Sequence, residues 1–259
     1  MTEAIAIINQ KGGVGKSTTA LALGAGLSLK GYRVLYIDLD AQGNITYTLG
    51  ATDNGLTALD VLTGSAKAEQ TVQHTAQGDV MPSSPALAGA DTVINETGKE
   101  YRLKEAIEPL RGKYDYIIID TPPALGILTV NALTACSGVV IPAQADIYSL
   151  KGIGQLHSTI QTVKRYCNPS LEIKGILLTR YNPRTILSRE IAEIIDQTAQ
   201  ELQTRLFKTT IREAIAVKEA QLNQQDIYSY APKSNATTDY KAFIDELLER
   251  SGNDGKEKL

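Results

Sequence analysis

The chain has 259 residues and a formal net charge of −3, with 42% apolar and 21% charged residues, which is ordinary for a soluble globular protein with a sizeable core. The negative charge excludes polyanion binding by bulk electrostatics, and no apolar stretch approaches the ~18 residues of a membrane span. Two well-separated cysteines and two scattered histidines exclude the usual zinc or iron–sulfur spacings within one chain, and 12 Tyr, 2 Phe and no Trp argue against a base-stacking platform.

The first predicted elements form a strand–helix–strand unit. An apolar strand over 5–9 is followed by a glycine-rich loop and a helix over about 16–30, which ends at Gly31. A second apolar strand covers 33–37 and ends in Asp38. Because such crossovers are right-handed and join parallel strands, this unit predicts a parallel sheet.

The same alternation continues along the chain. Further short, β-branched strands are predicted at 79–81, 116–119, 138–141 and 173–179. Helical patterns cover about 99–110, 126–135, 152–166, 188–203 and 239–250. We therefore predict an α/β fold with one doubly wound, mostly parallel sheet flanked by helices. We expect a single domain over 1–250, followed by a polar, disordered tail over 251–259.

The glycine-rich loop has the composition of a phosphate cradle. Its glycines let backbone N–H groups approach phosphate oxygens, and the following helix adds its positive dipole end. Lys16 would reach the β- and γ-phosphates, and the Ser17 hydroxyl would ligate Mg²⁺. Gln10 occupies the first glycine position of the strict motif, but the strand–loop–helix context still predicts a P-loop NTPase. The predicted ATP-binding residues in this segment are Lys11, Gly12, Gly13, Val14, Gly15, Lys16, Ser17 and Thr18.

Carboxylates follow two of the predicted strands. Asp38 and Asp40 come after the second strand, and Asp120 ends the strand over 116–119. In a parallel sheet the carboxyl ends of the strands line the ligand crevice. We expect Asp120 to lie near Mg²⁺ as a Walker B carboxylate, and Asp38 to hold waters of the same ion. Simple turn chemistry is the alternative for the two aspartates after the second strand.

Together these motifs resemble the deviant Walker A family, which includes ParA and MinD ATPases and the nitrogenase iron protein. The resemblance rests on Lys11 ahead of the glycines and on the run Asp-Leu-Asp-Ala-Gln-Gly-Asn over 38–44, where Ala41 stands in place of the usual proline. It continues through Thr121-Pro122-Pro123, Val140-Ile141-Pro142, Leu177–Asn182, Ile211-Arg212-Glu213 and Glu219-Ala220. The likeness therefore covers nearly the whole chain.

The resemblance implies roles for three residues. Lys11 would reach across a dimer to the nucleotide of the partner subunit, and Asp40 would position the attacking water. Asn182 is a candidate adenine contact, although an Asn-Pro pair could equally be only a turn.

Three functions within the resemblance remain open. One is a MinD-like, membrane-associated positioning ATPase, and another is a metabolic enzyme of the dethiobiotin synthetase type or a bacterial tyrosine kinase. The segment 239–250 carries four acidic residues against two basic ones, which suits an anionic membrane poorly, and its apolar stripe is expected to pack on the domain. The third function, a ParA-type partition ATPase, is favoured.

A partition ATPase would be a cytoplasmic, nucleoid-associated ATP hydrolase that forms a homodimer with ATP and Mg²⁺. It would bind duplex DNA without sequence preference, and a ParB-type centromere-binding adaptor would stimulate hydrolysis; no membrane partner is expected. The phosphate loop begins at residue 11, so we expect no N-terminal helix-turn-helix domain and contacts to DNA phosphates only. The segment 174–218 carries eight basic residues against five acidic ones. The candidate DNA contacts in it are Arg184, Arg189, Arg212 and Lys218.

Overall fold

A seven-stranded sheet organises the chain, of which the computed structural model describes residues 2–253. The strands are β1 (Glu3–Ile7), β2 (Val34–Asp38), β3 (Gln73–Thr75), β4 (Gly78–Met81), β5 (Tyr116–Asp120), β6 (Gly138–Ala143) and β7 (Glu172–Leu178). Their order across the sheet is β3-β4-β2-β5-β1-β6-β7. Neighbours pair in parallel except in the β3–β4 hairpin at one edge. This arrangement confirms the predicted doubly wound, mostly parallel α/β sheet.

Helices cover both faces of the sheet. They are α1 (Lys16–Leu29), α2 (Asn44–Thr48), α3 (Ala58–Thr63), α4 (Ala68–Thr71), α5 (Ala90–Val93), α6 (Arg102–Ile107), α7 (Ile127–Ala135), α8 (Ile147–Tyr166), α9 (Ile186–Glu201), α10 (Ile215–Leu222), α11 (Ile227–Tyr230) and α12 (Asn235–Asn253). Short 3₁₀ turns lie at Pro85–Gly89, Lys99–Tyr101 and Glu108–Leu110. Within residues 2–253, none of the helices combines the length and the apolar character that a membrane span requires.

The two faces of the sheet build two separate cores. Successive residues of a strand point to opposite faces, so Ala4 and Ala6 of β1 join the core under α3, α6, α7 and α8, whereas Ile5 and Ile7 join the core under α1 and α12. The central strands are buried along almost their whole length. This burial on both sides explains why their sequences are apolar without alternation.

Several predicted boundaries differ from the structure. Helix α8 begins at Ile147, five residues before the predicted start, because the Asp146 carboxylate caps it. The helix predicted over 99–110 is divided into a 3₁₀ turn, α6 and a second 3₁₀ turn that contains Pro109. The predicted strand bounds are off by one or two residues, and none of the predicted ranges covers α2 to α5, α10, α11 or β3.

The C-terminal helix also differs from its prediction. Helix α12 extends from Asn235 to Asn253 rather than over 239–250. Residues 251–253, which were expected to begin the polar tail, are instead helical. The helix thus continues past the last apolar residue of its stripe. The rest of the predicted tail, residues 254–259, lies outside the described residues.

The segment 204–211, which follows α9, covers the outer side of β7. The Ile176 N–H donates to the Arg205 carbonyl at 2.8 Å, and the Phe207 N–H donates back to the Ile176 carbonyl at 2.9 Å. Further along, the Ile211 N–H donates to the Leu178 carbonyl at 2.8 Å. The segment therefore runs parallel to β7 and brings the residues after Ile211 to the carboxyl edge of the sheet.

Helix α1 approaches the sheet closely at a glycine. A Cβ built on Gly24 would lie 2.4 Å from ring atoms of Tyr36, a buried residue of β2. The Tyr36 hydroxyl also donates to the Leu21 carbonyl at 3.2 Å, which restricts movement of the ring. Gly24 thus sets the distance between α1, which begins at the phosphate loop, and the sheet.

We expect Gly24→Ala to lower the free energy of unfolding by about 1–2 kcal/mol, because the overpacking outweighs the gain in helix propensity. The control is Gly154→Ala in α8, where a Cβ would meet nothing within 4 Å. That change should raise stability by about 0.5–1 kcal/mol through the alanine's helix propensity. Urea unfolding followed by circular dichroism measures both, and a Gly24→Ala protein as stable as Gly154→Ala would contradict the close packing.

Candidate active site

Loops from the carboxyl ends of the parallel strands enclose a cavity of about 420 Å³. Its walls come from the phosphate loop, from the residues after β2 and β7, and from α10 and α12. The lining residues are Gly12, Gly13, Gly15, Lys16, Ser17, Thr18, Asp40, Gln42, Asn44, Pro123, Thr179, Arg180, Ile211, Arg212, Glu213, Ala214, Val217, Lys218, Gln221 and Tyr240. The cavity therefore brings together most of the predicted ATP-binding residues and Asp40.

The phosphate loop has the backbone of an anion cradle. Gly13 has φ 75° and Gly15 has φ 86°, both in the left-handed region that side chains disfavour. Gly15 is the N-cap of α1, so the first N–H groups of this helix point into the cavity. Lys16 follows and is buried, and desolvation lowers the pKa of its ammonium although Asp120 and Asp40 oppose that change. A bound phosphate would replace the lost solvation.

Two side chains far along the chain hold the loop by its carbonyl oxygens. The Thr179 hydroxyl, at the end of β7, donates to the Val14 carbonyl at 2.7 Å. The Gln144 amide, after β6, donates to the Gly13 carbonyl at 3.3 Å. These bonds fix the Gly13 and Val14 carbonyls and so restrain the loop. Neither residue was predicted to hold the loop. Gln144 belongs to no local motif, and Thr179 lies in the run over 177–182 but was assigned no role there.

Lys11 lies outside the cradle, against the start of α8. Its ammonium forms an ion pair with Asp146 and donates to the Gln144 amide oxygen at 3.2 Å. The other oxygen of Asp146 accepts the Tyr148 and Ser149 N–H groups at 3.0 and 2.9 Å. Burial raises the pKa of the Asp146 carboxyl, but the Lys11 ammonium and the helix N–H groups together lower it by more. The net change in the pKa is therefore downward. Asp146 was not predicted, although an aspartate directly before the first residues of a helix is a helix-start signal.

Asp120 ends β5 as a buried carboxylate with unused oxygens. Neither oxygen accepts a hydrogen bond from any described residue. Burial and then the Asp38 carboxyl raise the pKa of Asp120 well above its usual range. The Ser17 hydroxyl and the Lys16 ammonium oppose the rise, but the hydroxyl does not reach hydrogen-bonding geometry. A buried carboxylate without a hydrogen-bond partner carries a desolvation penalty, and a bound cation would offset it.

This donor set fits Mg²⁺. The ion takes oxygen ligands and is usually bound through one or two carboxylates together with waters and substrate phosphates. Among residues 2–253 no cluster of three or more His, Cys, Asp or Glu could hold a metal by itself. Ser17 and Asp120 would therefore hold the ion only together with phosphate and water oxygens, as predicted for a P-loop.

Asp38 is engaged within the protein. One of its oxygens accepts the Thr46 N–H at 2.9 Å and the Thr46 hydroxyl at 2.8 Å, and the other accepts the Asp40 N–H at 3.2 Å. Burial raises the pKa of Asp38 to about 6, and the Thr46 hydrogen bonds limit the rise. The structure thus gives Asp38 an anchoring role in the loop after β2. Its contact with Mg²⁺ waters stays a prediction.

Asp40 lines the cavity and Asn182 does not. The Asp40 carboxylate accepts the Gln42 N–H at 3.0 Å and lies on the same wall as the phosphate loop. The Asn182 side chain is exposed and accepts the Arg184 N–H at 3.1 Å, as in a turn. The wall nearest to it is formed instead by Arg180, whose φ is 52°. An adenine contact by Asn182 stays a prediction.

The four candidate DNA contacts separate into two pairs. Arg212 and Lys218 line the cavity, and the Arg212 guanidinium forms a two-pronged ion pair with Asp239 at 2.9 and 2.6 Å. Arg184 and Arg189 are exposed at the start of α9, outside the cavity lining. Arg212 is thus paired with Asp239. The Arg189 guanidinium donates to the Pro183 carbonyl at 3.0 Å, and no carboxylate among the described residues forms an ion pair with Arg184 or Arg189.

Comparisons with known proteins support one family over the whole chain. A family model described as an AAA domain matches residues 2–173. The sporulation initiation inhibitor protein Soj of Bacillus subtilis is 41% identical over 252 residues, covering 95% of this chain and 98% of that protein. The chromosome partitioning protein ParA of Myxococcus xanthus is 37% identical over 251 residues, covering 95% and 88%. The solved structure of cobyrinic acid a,c-diamide synthase from Mycobacterium smegmatis, with bound ADP and magnesium, has a TM-score of 0.84 at 35% identity, covering 97% and 96%.

The electrostatics of Asp120 generate a stability prediction. Because its pKa is raised in the folded state, the folded protein binds this proton more tightly than the unfolded chain does. Stability of the nucleotide-free protein should therefore fall as pH rises from about 4 towards the raised pKa. Asp120→Asn should reduce this slope and leave the part due to Asp38, whose pKa is raised to about 6. It should raise the free energy of unfolding at pH 8 by about 1–2 kcal/mol, while weakening stabilisation by Mg²⁺ and nucleotide.

Urea unfolding at pH 5 and pH 8 measures this effect. Asp115→Asn is the matched control, because an ion pair with Arg33 lowers the pKa of that exposed carboxyl to about 2. Asp115→Asn should not stabilise the protein. A nucleotide-free Asp120→Asn protein less stable than the wild type at pH 8 would contradict the prediction.

Proposed function

This chain belongs to the ParA/Soj family of P-loop ATPases, and from that membership we propose that it is an Mg²⁺-dependent partition ATPase that dimerises on ATP. The observation that carries the proposal is the pair of lysines around one phosphate loop. Lys16 is buried inside the loop, whereas Lys11 is held outside it on Asp146. Lys11 does not line the cavity and pairs with Asp146 instead, which supports a role towards another subunit.

The residues of the cavity would divide the work of hydrolysis. The phosphate loop binds the phosphates through its N–H groups, and Lys16 neutralises their charge. Ser17 and Asp120 would hold Mg²⁺, which would supply further neutralisation of the phosphate oxygens. Asp40, which lines the cavity, orients the attacking water.

Lys11 would act in the partner subunit. To reach that subunit's nucleotide it must leave Asp146, so the ion pair describes the state before dimerisation. Beside it, Ile147 is 52% and Tyr148 is 72% exposed. A second copy docked on this face would cover both side chains. Burial of this apolar surface would stabilise the dimer in addition to the contact made by Lys11. The geometry therefore supports a dimer that forms across the carboxyl edge of the sheet.

DNA binding by the dimer is the second part of the proposal. Arg184 and Arg189 are exposed at the start of α9 and would contact phosphates of any duplex. Dimerisation doubles the number of such contacts, so weak monomer affinity becomes measurable. A ParB-type centromere-binding adaptor would then stimulate hydrolysis and release the protein from the nucleoid. The partitioning name of the Myxococcus xanthus relative supports this role.

A metabolic enzyme is the competing candidate. The observation that favours it is the likeness to the structure named cobyrinic acid a,c-diamide synthase, at 35% identity. One experiment separates the candidates: ATP turnover measured with buffer alone, with unrelated duplex DNA, and with cobyrinic acid, beside sedimentation with anionic liposomes. Stimulation by DNA supports partition. Stimulation by cobyrinic acid alone, or ATP-dependent binding to liposomes alone, would favour the metabolic or MinD-like function.

Variants of Lys11 and Asp40 should separate dimerisation from hydrolysis. Lys11→Ala should bind ATP but remain monomeric, because the cation supplied to the partner is lost. Asp40→Ala should dimerise with ATP yet hydrolyse it at least about tenfold more slowly, because the water is no longer held. Size-exclusion chromatography with light scattering, run with ADP and with ATP, measures the first effect, and phosphate release measures the second.

Lys30→Ala is the control for these variants, because this exposed lysine pairs with Asp245 at 2.6 Å and does not line the cavity. It should behave as the wild type in both assays. A Lys11→Ala protein that dimerises and turns over normally would remove the transfer of Lys11 between subunits from the proposal.

Charge reversal at α9 should weaken DNA binding alone. Arg189→Glu should lower affinity for unrelated duplexes by similar factors while leaving ATP affinity unchanged, and the slope of log affinity against log salt should shrink by about one per lost phosphate contact. Lys164→Glu, the same charge change in the last turn of α8, should have little effect. Gel shifts with ATP across a salt series test this, and equal losses in the two variants would argue against α9 as the contact.

A further inference from the structure

Ser83 connects a neighbouring strand to the loop that holds Asp40. It lies two residues after β4, which pairs in parallel with β2, so its position is level with the residues after Asp38. The Ser83 side chain is buried, and its hydroxyl donates a short hydrogen bond to the main-chain carbonyl of Asp40. Its N–H donates to the Thr46 hydroxyl at 2.9 Å. Ser83 is therefore hydrogen-bonded on both sides of the turn after β2: to Asp40 before it and to Thr46 in α2 after it.

The bond from Ser83 completes the fixation of the Asp40 backbone. The Asp40 N–H donates to Asp38 at 3.2 Å, and its carbonyl also accepts the Gly43 N–H at 2.9 Å. One carboxylate oxygen of Asp40 accepts the Gln42 N–H at 3.0 Å. No described residue donates to the other oxygen. The backbone is thus held on both sides of a side chain that keeps one oxygen available.

We propose that Ser83 is a positioning residue for ATP hydrolysis, acting through the Asp40 carbonyl. This inference rests on the proposed function, in which Asp40 orients the attacking water. Ser83 does not line the cavity and would not touch nucleotide or water. Its hydroxyl sets the orientation of the peptide after Asp40, and through it the direction of the free carboxylate oxygen. Misplacement of a water-orienting group by a fraction of an ångström slows a reaction without weakening substrate binding.

The geometry distinguishes Ser83 from its neighbour. Among the residues that the structure describes, the Ser84 hydroxyl has a hydrogen-bond contact with the Thr57 hydroxyl at 3.5 Å and none with the loop after β2. Ser83 and Ser84 are therefore a matched pair: the same residue type, adjacent in the chain, with a single member bonded to the residue that meets the water.

The test compares Ser83→Ala, Ser83→Thr and Ser84→Ala in the full-length protein. Ser83→Ala should lower kcat for ATP about tenfold, equivalent to about 1.4 kcal/mol, with KM for ATP and ATP-dependent dimerisation unchanged. Ser83→Thr keeps the hydroxyl and should retain most of the activity, and Ser84→Ala should match the wild type. Amide hydrogen exchange at residues 42–46 of the nucleotide-free protein should become faster in Ser83→Ala alone.

A kcat of Ser83→Ala within twofold of the wild type would overturn the proposal, as would an equal loss in Ser84→Ala or a rise in KM that accounts for the whole effect. If the wild-type protein does not hydrolyse ATP under any condition, the proposed function fails, and the exchange measurement then decides about Ser83 by itself. Unchanged exchange at 42–46 in Ser83→Ala would show that its hydroxyl does not hold the loop.

Discussion

The parallel pairing of β1 with β5 and β6 is the constraint on which the site depends. In this register Ile7 lies opposite Asp120 on one side and Val140 on the other. The chain therefore leaves β1 level with the carboxylate of β5, and the phosphate loop that follows folds over it. A slip of one residue would turn the side chains of β1 to the opposite core and separate the loop from Asp120. The apolar residues that fill both cores thus also set the geometry of the polar site.

That geometry concentrates charge where solvent is excluded. Asp38 and Asp120 are buried next to each other, and Lys16 is buried against them. Hydrogen bonds satisfy Asp38, but no described residue does so for Asp120. The folded protein consequently holds one carboxylate with an uncompensated desolvation penalty in the absence of ligand, and binding of a cation with phosphate offsets this penalty. Stability and ligand affinity are coupled at a single side chain.

The parts of the structure that could be predicted are those encoded locally. The strands were found because they are apolar on both faces, and the phosphate loop and Asp120 because they stand in short motifs at strand ends. The helix predicted from continuous apolar spacing is interrupted at the turn that contains Pro109. Helix α8 begins at a capping aspartate, before its apolar stripe begins. A capping residue acts through one side chain, so periodicity carries no trace of it.

The supporting residues of the site were missed for a different reason. Thr179, Gln144 and Ser83 reach it across separations of 165, 131 and 43 residues. Each is a polar residue that follows a strand, a position where polar residues are common in turns. Only the strand order, in which β4 lies beside β2 and β6 beside β1, makes them neighbours of the loops that they hold.

The segment along β7 limits how copies of this protein can assemble. The outer main-chain groups of β7 at Ile176 and Leu178 are occupied by it, and the carbonyls of Ile173 and Lys174 accept side-chain hydrogen bonds from Thr204 and Arg205. Strand addition, in which one sheet extends into the sheet of another molecule, is therefore closed at this edge. Copies of this protein that meet at this edge have to be joined through side chains, so such contacts can be weakened by single substitutions.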